Sequence, residues 1–148
     1  MFFEHLPEPA AAAVAAEALL RPGGLLVLNV PSSRGALFRL SAVLARLGLP
    51  GPYERLWQKE FASPHVSYFA RRSLAALIGR HTDLTLVDSF SLPSVSRNGL
   101  VARVSGSHGG LVGMGLVAGV WLLSFILPWL PADIEVLVFI REESVAVE

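Results

Sequence analysis

The histidines are the residues of this chain best suited to chemistry. A histidine ring has an ordinary pKa close to neutrality, so it exchanges protons readily at physiological pH. Each of the four histidines is therefore a possible general base, and a plain surface histidine is the alternative for His65. His81 and His108 have no further potential ligands clustered around them, so we predict no metal site. The chain has no cysteine, which excludes thiolate catalysis and cysteine-ligated metals.

Asn29 is a second kind of candidate, because it stands late in the apolar run Leu25–Val30. A continuous apolar run of this length, bounded by glycines and a proline, is typical of a parallel central strand that is buried on both faces. An amide at the end of such a strand can orient a substrate, and it can equally well satisfy buried backbone groups. Both alternatives stay open for Asn29.

The composition excludes some classes of function. The chain has 148 residues, with 12 Lys+Arg against 12 Asp+Glu and 53% hydrophobic residues. This length suits one domain with a core of its own and is too short for two. The balanced charge offers no basic surface, so we predict no nucleic-acid binding. Residues 1–108 carry 11 of the 12 basic and 7 of the 12 acidic residues, so the two ends of the chain have net charges of +4 and −4.

The part between Arg103 and Asp133 has no formal charge. We interpret residues 104–132 as an apolar insertion, whose centre, residues 109–127, has Ser124 as its only polar side chain other than glycine. It is long enough to span a bilayer, but it could also lie in the membrane interface or form a core helix. We favour an insertion that dips into lipid, because a span would separate the two strands on either side of it.

This insertion is expected to be helical from about residue 110 to 127 and to break at Pro128. The remaining chain predicts an α/β fold, because helical and strand patterns alternate along it. The predicted elements are a helix over 9–20, a strand over 25–30, a helix capped by Ser32 and Ser33 that ends near Leu47, an irregular connection over 48–63, a helix over 71–80, and strands over 84–95 and 134–140.

Three segments, in this order, carry a resemblance to a known family. They are residues 3–9 (FEHLPEP), residues 19–31 (LLRPGGLLVLNVP) and residues 65–69 (HVSYF). Together they resemble the C-terminal half of a class I S-adenosylmethionine-dependent methyltransferase of the small-molecule type. The resemblance covers about residues 1–95 and again 134–141. The chain departs from it at Ala70, where the family usually has a serine or threonine that caps a helix.

The resemblance implies a partial Rossmann-like sheet, from the fourth or fifth strand onward, whose last two strands form an antiparallel edge pair. It places His5 after the fourth strand, where it either faces the methyl donor or the acceptor or only caps a loop, and it gives Asn29 a place on the acceptor side. It also places His65 and Tyr68 in the loop that closes over the acceptor. These implications make His65 the catalytic candidate and assign His5, Asn29 and Tyr68 to substrate binding.

The resemblance also implies S-adenosylmethionine as cofactor, although the residues that would bind it are unknown in this chain. In the family, a glycine-rich loop and an acidic residue on earlier strands hold the cofactor, and both would lie upstream of Met1. We therefore expect residues 1–148 to form one partial methyltransferase-like domain that is inactive alone. An unpaired sheet edge is expected to favour self-association.

Two functions remain open at this stage. The first is a methyltransferase that acts on a small hydrophobic or lipid-like acceptor, at a membrane surface. The second is a methyltransferase-like protein without chemistry that binds a membrane or a partner.

Met1 is not followed by a basic segment and an apolar run, so no secretory signal is predicted. We expect a cytoplasmic protein that associates with membranes through residues 109–127.

Overall fold

The computed structural model describes residues 3–58, 62–92, 121, 125 and 129–142. The elements in these residues are a 3-10 turn at Phe3–His5, α1 (Pro9–Leu19), β1 (Leu25–Pro31), α2 (Ala36–Arg46), α3 (Gly51–Leu56), α4 (Arg71–His81), β2 (Leu84–Leu92) and β3 (Ile134–Arg141). This mixture confirms the α/β class. The irregular connection predicted over 48–63 was wrong at α3, whose Pro52 stands in the first turn, where a missing N–H is tolerated.

The three strands form a sheet in the order β1-β3-β2, and both neighbouring pairs are antiparallel. The predicted antiparallel pairing of the last two strands is confirmed. The prediction that β1 is parallel and buried on both faces was wrong within the described residues. Leu25 and Val27 are more than half exposed, whereas Leu28 and Val30 are buried. One face of β1 therefore packs into the core and the other does not.

The core lies between this face of the sheet and two helices. The helices contribute Ala13 from α1 and Leu74 and Ile78 from α4, and the central strand β3 contributes Leu137 and Phe139. All five side chains are at most 1% exposed. Alanines in α1 allow that helix to lie close to the core, and the central position of β3 explains the burial of Leu137 and Phe139.

The turn that leads into β1 is fixed by glycine. Gly23 has a φ of 74°, a left-handed conformation that glycine adopts without strain. Its N–H donates to the carbonyl of Arg141 at 2.8 Å, and the N–H of Arg141 donates to the carbonyl of Gly24 at 2.9 Å. The glycine turn is thus joined to the end of β3.

Helix α2 is capped from a distant part of the chain. The predicted caps, Ser32 and Ser33, were wrong: Gly35 is the N-cap residue, and the side chain of Asp133 accepts the N–H of Leu37 at 2.8 Å. A Cβ atom at position 35 would overlap Asp133. Because Gly35 has no side chain, the carboxylate of Asp133 can reach the start of α2.

Ala70 stands at the N-cap of α4, where the resemblance implies a serine or threonine. Its missing hydroxyl is compensated in part by Ser73, whose Oγ accepts the N–H of Ala70 at 3.2 Å and donates to the carbonyl of Ala70 at 2.8 Å. The helix begins at the predicted position despite the departure from the family pattern.

The predicted apolar insertion lies largely outside the described residues, and so does the predicted break at Pro128. Trp121 and Phe125 are helical, about half exposed, and in edge-on ring contact at 4.7 Å. Among the helices that the structure describes, none is long and apolar enough to cross a membrane.

Candidate functional site

A loop over residues 62–70 is held between the 3-10 turn and the end of β1. The N–H groups of Val66 and Ser67 both donate to the carbonyl of Glu4, at 2.9 and 3.1 Å. The N–H of Phe69 donates to the carbonyl of Pro31 at 3.1 Å. The bonds to Glu4 bring together two segments that are about sixty residues apart in the sequence.

His5 and His65 meet as a result of this loop placement. Their ring centroids lie 4.8 Å apart in an edge-on arrangement. Nδ1 of His5 lies 2.9 Å from the carbonyl oxygen of Pro64. Because a carbonyl can only accept, Nδ1 carries the proton and donates, which leaves the lone pair of neutral His5 at Nε2.

Tyr68 orients His65 through a short hydrogen-bonded chain. The Tyr68 hydroxyl donates to the carbonyl of Leu56 at 2.7 Å, and its oxygen lies 3.2 Å from Nδ1 of His65. Since the hydroxyl proton is used on Leu56, the oxygen accepts from Nδ1–H. The hydrogen-bond pattern therefore assigns the lone pair of neutral His65 to Nε2.

The third residue at this site, beside His5 and His65, is Glu4. Its side chain is fully buried, and neither carboxylate oxygen has a hydrogen-bond partner. Oε1 of Glu4 lies 3.8 Å from Nε2 of His5. Glu4, His5 and His65 each place one potential ligand atom within 4.8 Å of the others. We call these three residues the histidine cluster.

Burial sets the protonation states around the cluster. Desolvation, followed by the neighbouring His5, lowers the pKa of His65 below its ordinary value, and Glu4 opposes this shift. Burial raises the pKa of Tyr68 to about 12, so its hydroxyl stays protonated and can donate to Leu56. A neutral His65 with a lone pair at Nε2 can accept a proton, which is the property that a general base needs.

An aromatic wall stands beside His65. We use this name for Phe38, Tyr53, Trp57 and Tyr68, whose rings contact one another with centroid distances of 4.8 to 6.5 Å. His65 joins the wall through Tyr68, at a centroid distance of 5.6 Å. Nε1 of Trp57 is buried and has no hydrogen-bond partner.

Asn29 lies in a different environment. It lines a pocket with Phe3, Leu6, Ala12, Ala16 and the neighbouring residues of β1. Its Oδ1 is buried without a hydrogen-bond partner. Of the four residues singled out in the sequence, the structure thus brings together His5, His65 and Tyr68, and it places Asn29 in the pocket instead.

Sequence reasoning missed the part that Glu4 plays in the site. On charge and position alone, Glu4 is most simply a partner of the N-terminus of α1, but its carboxylate is buried beside His5. The expectation of no metal site considered only His81 and His108, whereas three potential ligands meet at Glu4, His5 and His65. The adjacent Glu-His pair was the available signal, and the third member stands sixty residues further along.

The chain is similar to a known protein family over the residues that build this site. The family model described as "Methyltransferase domain" matches residues 1–89, which include the histidine cluster. No curated protein matches the chain. A solved structure from Galdieria sulphuraria, named as a "putative sarcosine dimethylglycine methyltransferase", has 13% sequence identity to the chain and a TM-score of 0.48.

That comparison covers 95% of this chain and 50% of the Galdieria protein, so the chain spans about half the length of the structure it is compared with. The family model, in contrast, covers more than half of the present chain and includes the residues that build the site. The chain therefore belongs to the methyltransferase-domain family.

Proposed function

We propose that this chain forms the acceptor side of an S-adenosylmethionine-dependent methyltransferase, and that the acceptor is a hydrophobic or lipid-like molecule. The observation that carries the proposal is the unprotonated Nε2 of His65 beside the aromatic wall. A hydroxyl or amine that is methylated must lose a proton, and Nε2 is the atom that takes it. His5 lies close enough to contact the same acceptor.

In this proposal, the chain acts on the acceptor and does not bind the methyl donor. A bound S-adenosylmethionine supplies an electrophilic methyl group, and it is the donor expected from the family. The glycine turn at Gly23 and Gly24 is not available to hold that donor, since its backbone is hydrogen-bonded to Arg141. The residues of the site bind and orient the acceptor, and His65 removes its proton.

Two observations support a hydrophobic acceptor. The aromatic wall offers several ring surfaces next to His65. The uncharged stretch over 109–127 provides an apolar segment in the same chain, which would bring the site to a membrane surface. Both features favour an acceptor that partitions into lipid over a highly charged metabolite.

The test uses the protein together with any coding sequence that lies in frame upstream of Met1. It measures formation of S-adenosylhomocysteine with a long-chain phenol in vesicles and with a sulfonated, water-soluble phenol of the same ring. We expect turnover with the first acceptor and at least ten times less with the second. A protein that neither binds S-adenosylmethionine nor turns over would support the non-catalytic alternative, a membrane-binding or partner-binding protein.

Membrane association has its own test. Leu116→Asp combined with Val120→Asp should release the protein from neutral vesicles, because each charge costs roughly 2.5 to 3.5 kcal/mol at the centre of a bilayer. Leu19→Asp is the matched control, since Leu19 is 88% exposed on α1. Flotation with vesicles measures both. A wild-type chain that stays in the supernatant would contradict the membrane proposal.

A further inference from the structure

We propose that Glu4, His5 and His65 form a binding site for one divalent transition-metal ion. The three side chains come from two segments that backbone hydrogen bonds hold side by side. Each offers one ligand-type atom, and these atoms lie within 4.8 Å of one another. The proposal concerns ion binding itself and holds or fails independently of methyl transfer.

The two histidines are held as metal-ligating histidines usually are. Such a ring binds the ion through one nitrogen and donates its other N–H to a fixed acceptor, which sets the tautomer and the ring orientation. Nδ1 of His5 donates to the carbonyl of Pro64, and Nδ1 of His65 donates to the hydroxyl of Tyr68. Both Nε2 atoms keep their lone pairs for a ligand.

Glu4 is the independent observation that points to a cation. A fully buried carboxylate needs hydrogen-bond donors or a positive charge, because removal from water is costly for an ion. Neither oxygen of Glu4 has a hydrogen-bond partner, and Oε1 lies 3.8 Å from Nε2 of His5. A metal ion between these atoms supplies the missing positive charge.

The donor set indicates which ions fit. Two imidazoles and one carboxylate suit Zn²⁺, Fe²⁺ and Mn²⁺, whereas Ca²⁺ and Mg²⁺ prefer all-oxygen sites. Metal–ligand bonds of roughly 2.0 to 2.2 Å bring ligand atoms about 3 to 3.5 Å apart, so a pair of ligand atoms 4.8 Å apart must approach by roughly 1.3 to 1.8 Å. Side-chain rotation covers this distance.

Three protein ligands leave coordination positions open, as in catalytic metal sites. An oxygen of the acceptor could occupy one of them. With an ion bound, the Nε2 lone pair of His65 is a ligand and cannot also accept a proton. His65 therefore cannot be a general base and a metal ligand in the same molecule. The methyl-transfer rate, measured with and without added Zn²⁺, distinguishes the two roles.

The direct test is calorimetric titration of the metal-stripped chain with ZnCl₂ and, separately, with MnCl₂. We expect one equivalent of at least one ion to bind to the wild type. Glu4→Gln keeps the shape of the side chain but removes the charge, and it should weaken binding at least 100-fold, as should His65→Ala. His81→Ala is the matched control, because His81 is exposed on α4 and outside the cluster; its affinity should equal that of the wild type.

A spectroscopic measurement keeps the test independent of folding defects. Co²⁺ bound to the wild type should give visible absorption bands typical of a low-coordinate nitrogen and oxygen site, and circular dichroism shows whether each variant is folded. Absence of binding to the folded wild type would overturn the proposal. Equal affinity in folded Glu4→Gln and wild type would do the same. Neither result depends on turnover, so a failed metal site and a failed methyltransferase assignment remain distinguishable.

Discussion

Two polar groupings of this protein each contain a glutamate and differ in how fully that carboxylate is hydrogen-bonded. The first is the histidine cluster. The second, which we call the arginine network, joins Arg71, Ser91 and Glu135 across α4, β2 and β3. In the network, Oε2 of Glu135 accepts from Nε and Nη2 of Arg71 at 3.0 and 2.9 Å and from Ser91 Oγ at 3.0 Å. Nη2 of Arg71 also donates to Ser91 Oγ at 2.7 Å.

The difference separates a structural role from a functional one. In the arginine network the charged groups bind each other and connect α4 to β2 and β3. The histidine cluster contains a buried carboxylate without a hydrogen-bond partner, beside two imidazoles that are bonded through Nδ1. Buried polar groups are normally satisfied, and departures from this rule concentrate at functional sites. Substitutions in the cluster should therefore alter function, and substitutions in the network should alter stability.

The largest effect is expected from His65→Ala in a methyltransferase that includes the cofactor-binding part. Loss of the proton acceptor should lower the methyl-transfer rate by roughly 10²- to 10⁴-fold. The affinity for S-adenosylmethionine should not change, because His65 acts on the other substrate. Single-turnover rates and calorimetric titration with the cofactor measure the two quantities. An unchanged rate would return His65 to a structural role and weaken the contrast between the two groupings.

Tyr68→Phe removes one hydroxyl and leaves the aromatic wall in place. The ring of His65 then loses the acceptor for Nδ1–H, and the carbonyl of Leu56 loses its donor. Substitution of a residue that orients a metal ligand typically lowers metal affinity about 10- to 100-fold. Titration with ZnCl₂ measures this loss. Tyr53→Phe is the matched control, since Tyr53 belongs to the same wall and makes no ring contact with His65 in the described structure.

Glu135→Gln and Glu4→Gln compare the groupings directly. Glu135→Gln replaces the charged acceptor of Arg71 and should lower the free energy of unfolding by about 1 to 2 kcal/mol, a value reduced by the 42% exposure of the Arg71 side chain. Glu4→Gln removes a buried charge that has no hydrogen bond, so stability in the absence of metal should stay equal or rise. Urea denaturation measures both. A larger loss for Glu4→Gln would reverse the assignment of roles.

The sequence alone predicted several local elements of the fold, although it missed α3 and the cap of α2. The apolar run at β1, the helical spacing in α2 and the proline at the start of α1 predicted these elements within a few residues. Local composition could not reveal which strand would lie in the centre, because β3 inserts between β1 and β2 from the end of the chain. The exposure of one face of β1 follows from that arrangement and from packing, which no local pattern encodes.

For the site too, the sequence predicted part of the arrangement, and the rest depends on tertiary structure. The motif segments assigned His5, Asn29, His65 and Tyr68 to the site; the structure brings His5, His65 and Tyr68 into contact, whereas Asn29 lines a separate pocket. The burial of Glu4 depends on the backbone bonds from Val66 and Ser67, which join segments sixty residues apart. A carboxylate beside a helix start is usually a solvated dipole partner. Only tertiary structure shows that this one is enclosed.

The capping of α2 provides the smallest test and the clearest case of a contact that local sequence does not contain. Asp133 accepts the N–H of Leu37 across 96 residues of chain, whereas the nearby Ser32 and Ser33 were the predicted caps. Asp133→Ala should lower the free energy of unfolding by about 1 kcal/mol, the usual value for loss of a capping side chain. Ser33→Ala should change it by less than about 0.5 kcal/mol, as for most surface substitutions. Because Asp133 directly precedes β3, its loss should also loosen the end of β3 that pairs with β1, and amide hydrogen exchange at Leu37 and Ile134 would report both effects. Equal destabilisation by the two variants would mean that the local serine, rather than the distant carboxylate, holds the start of α2.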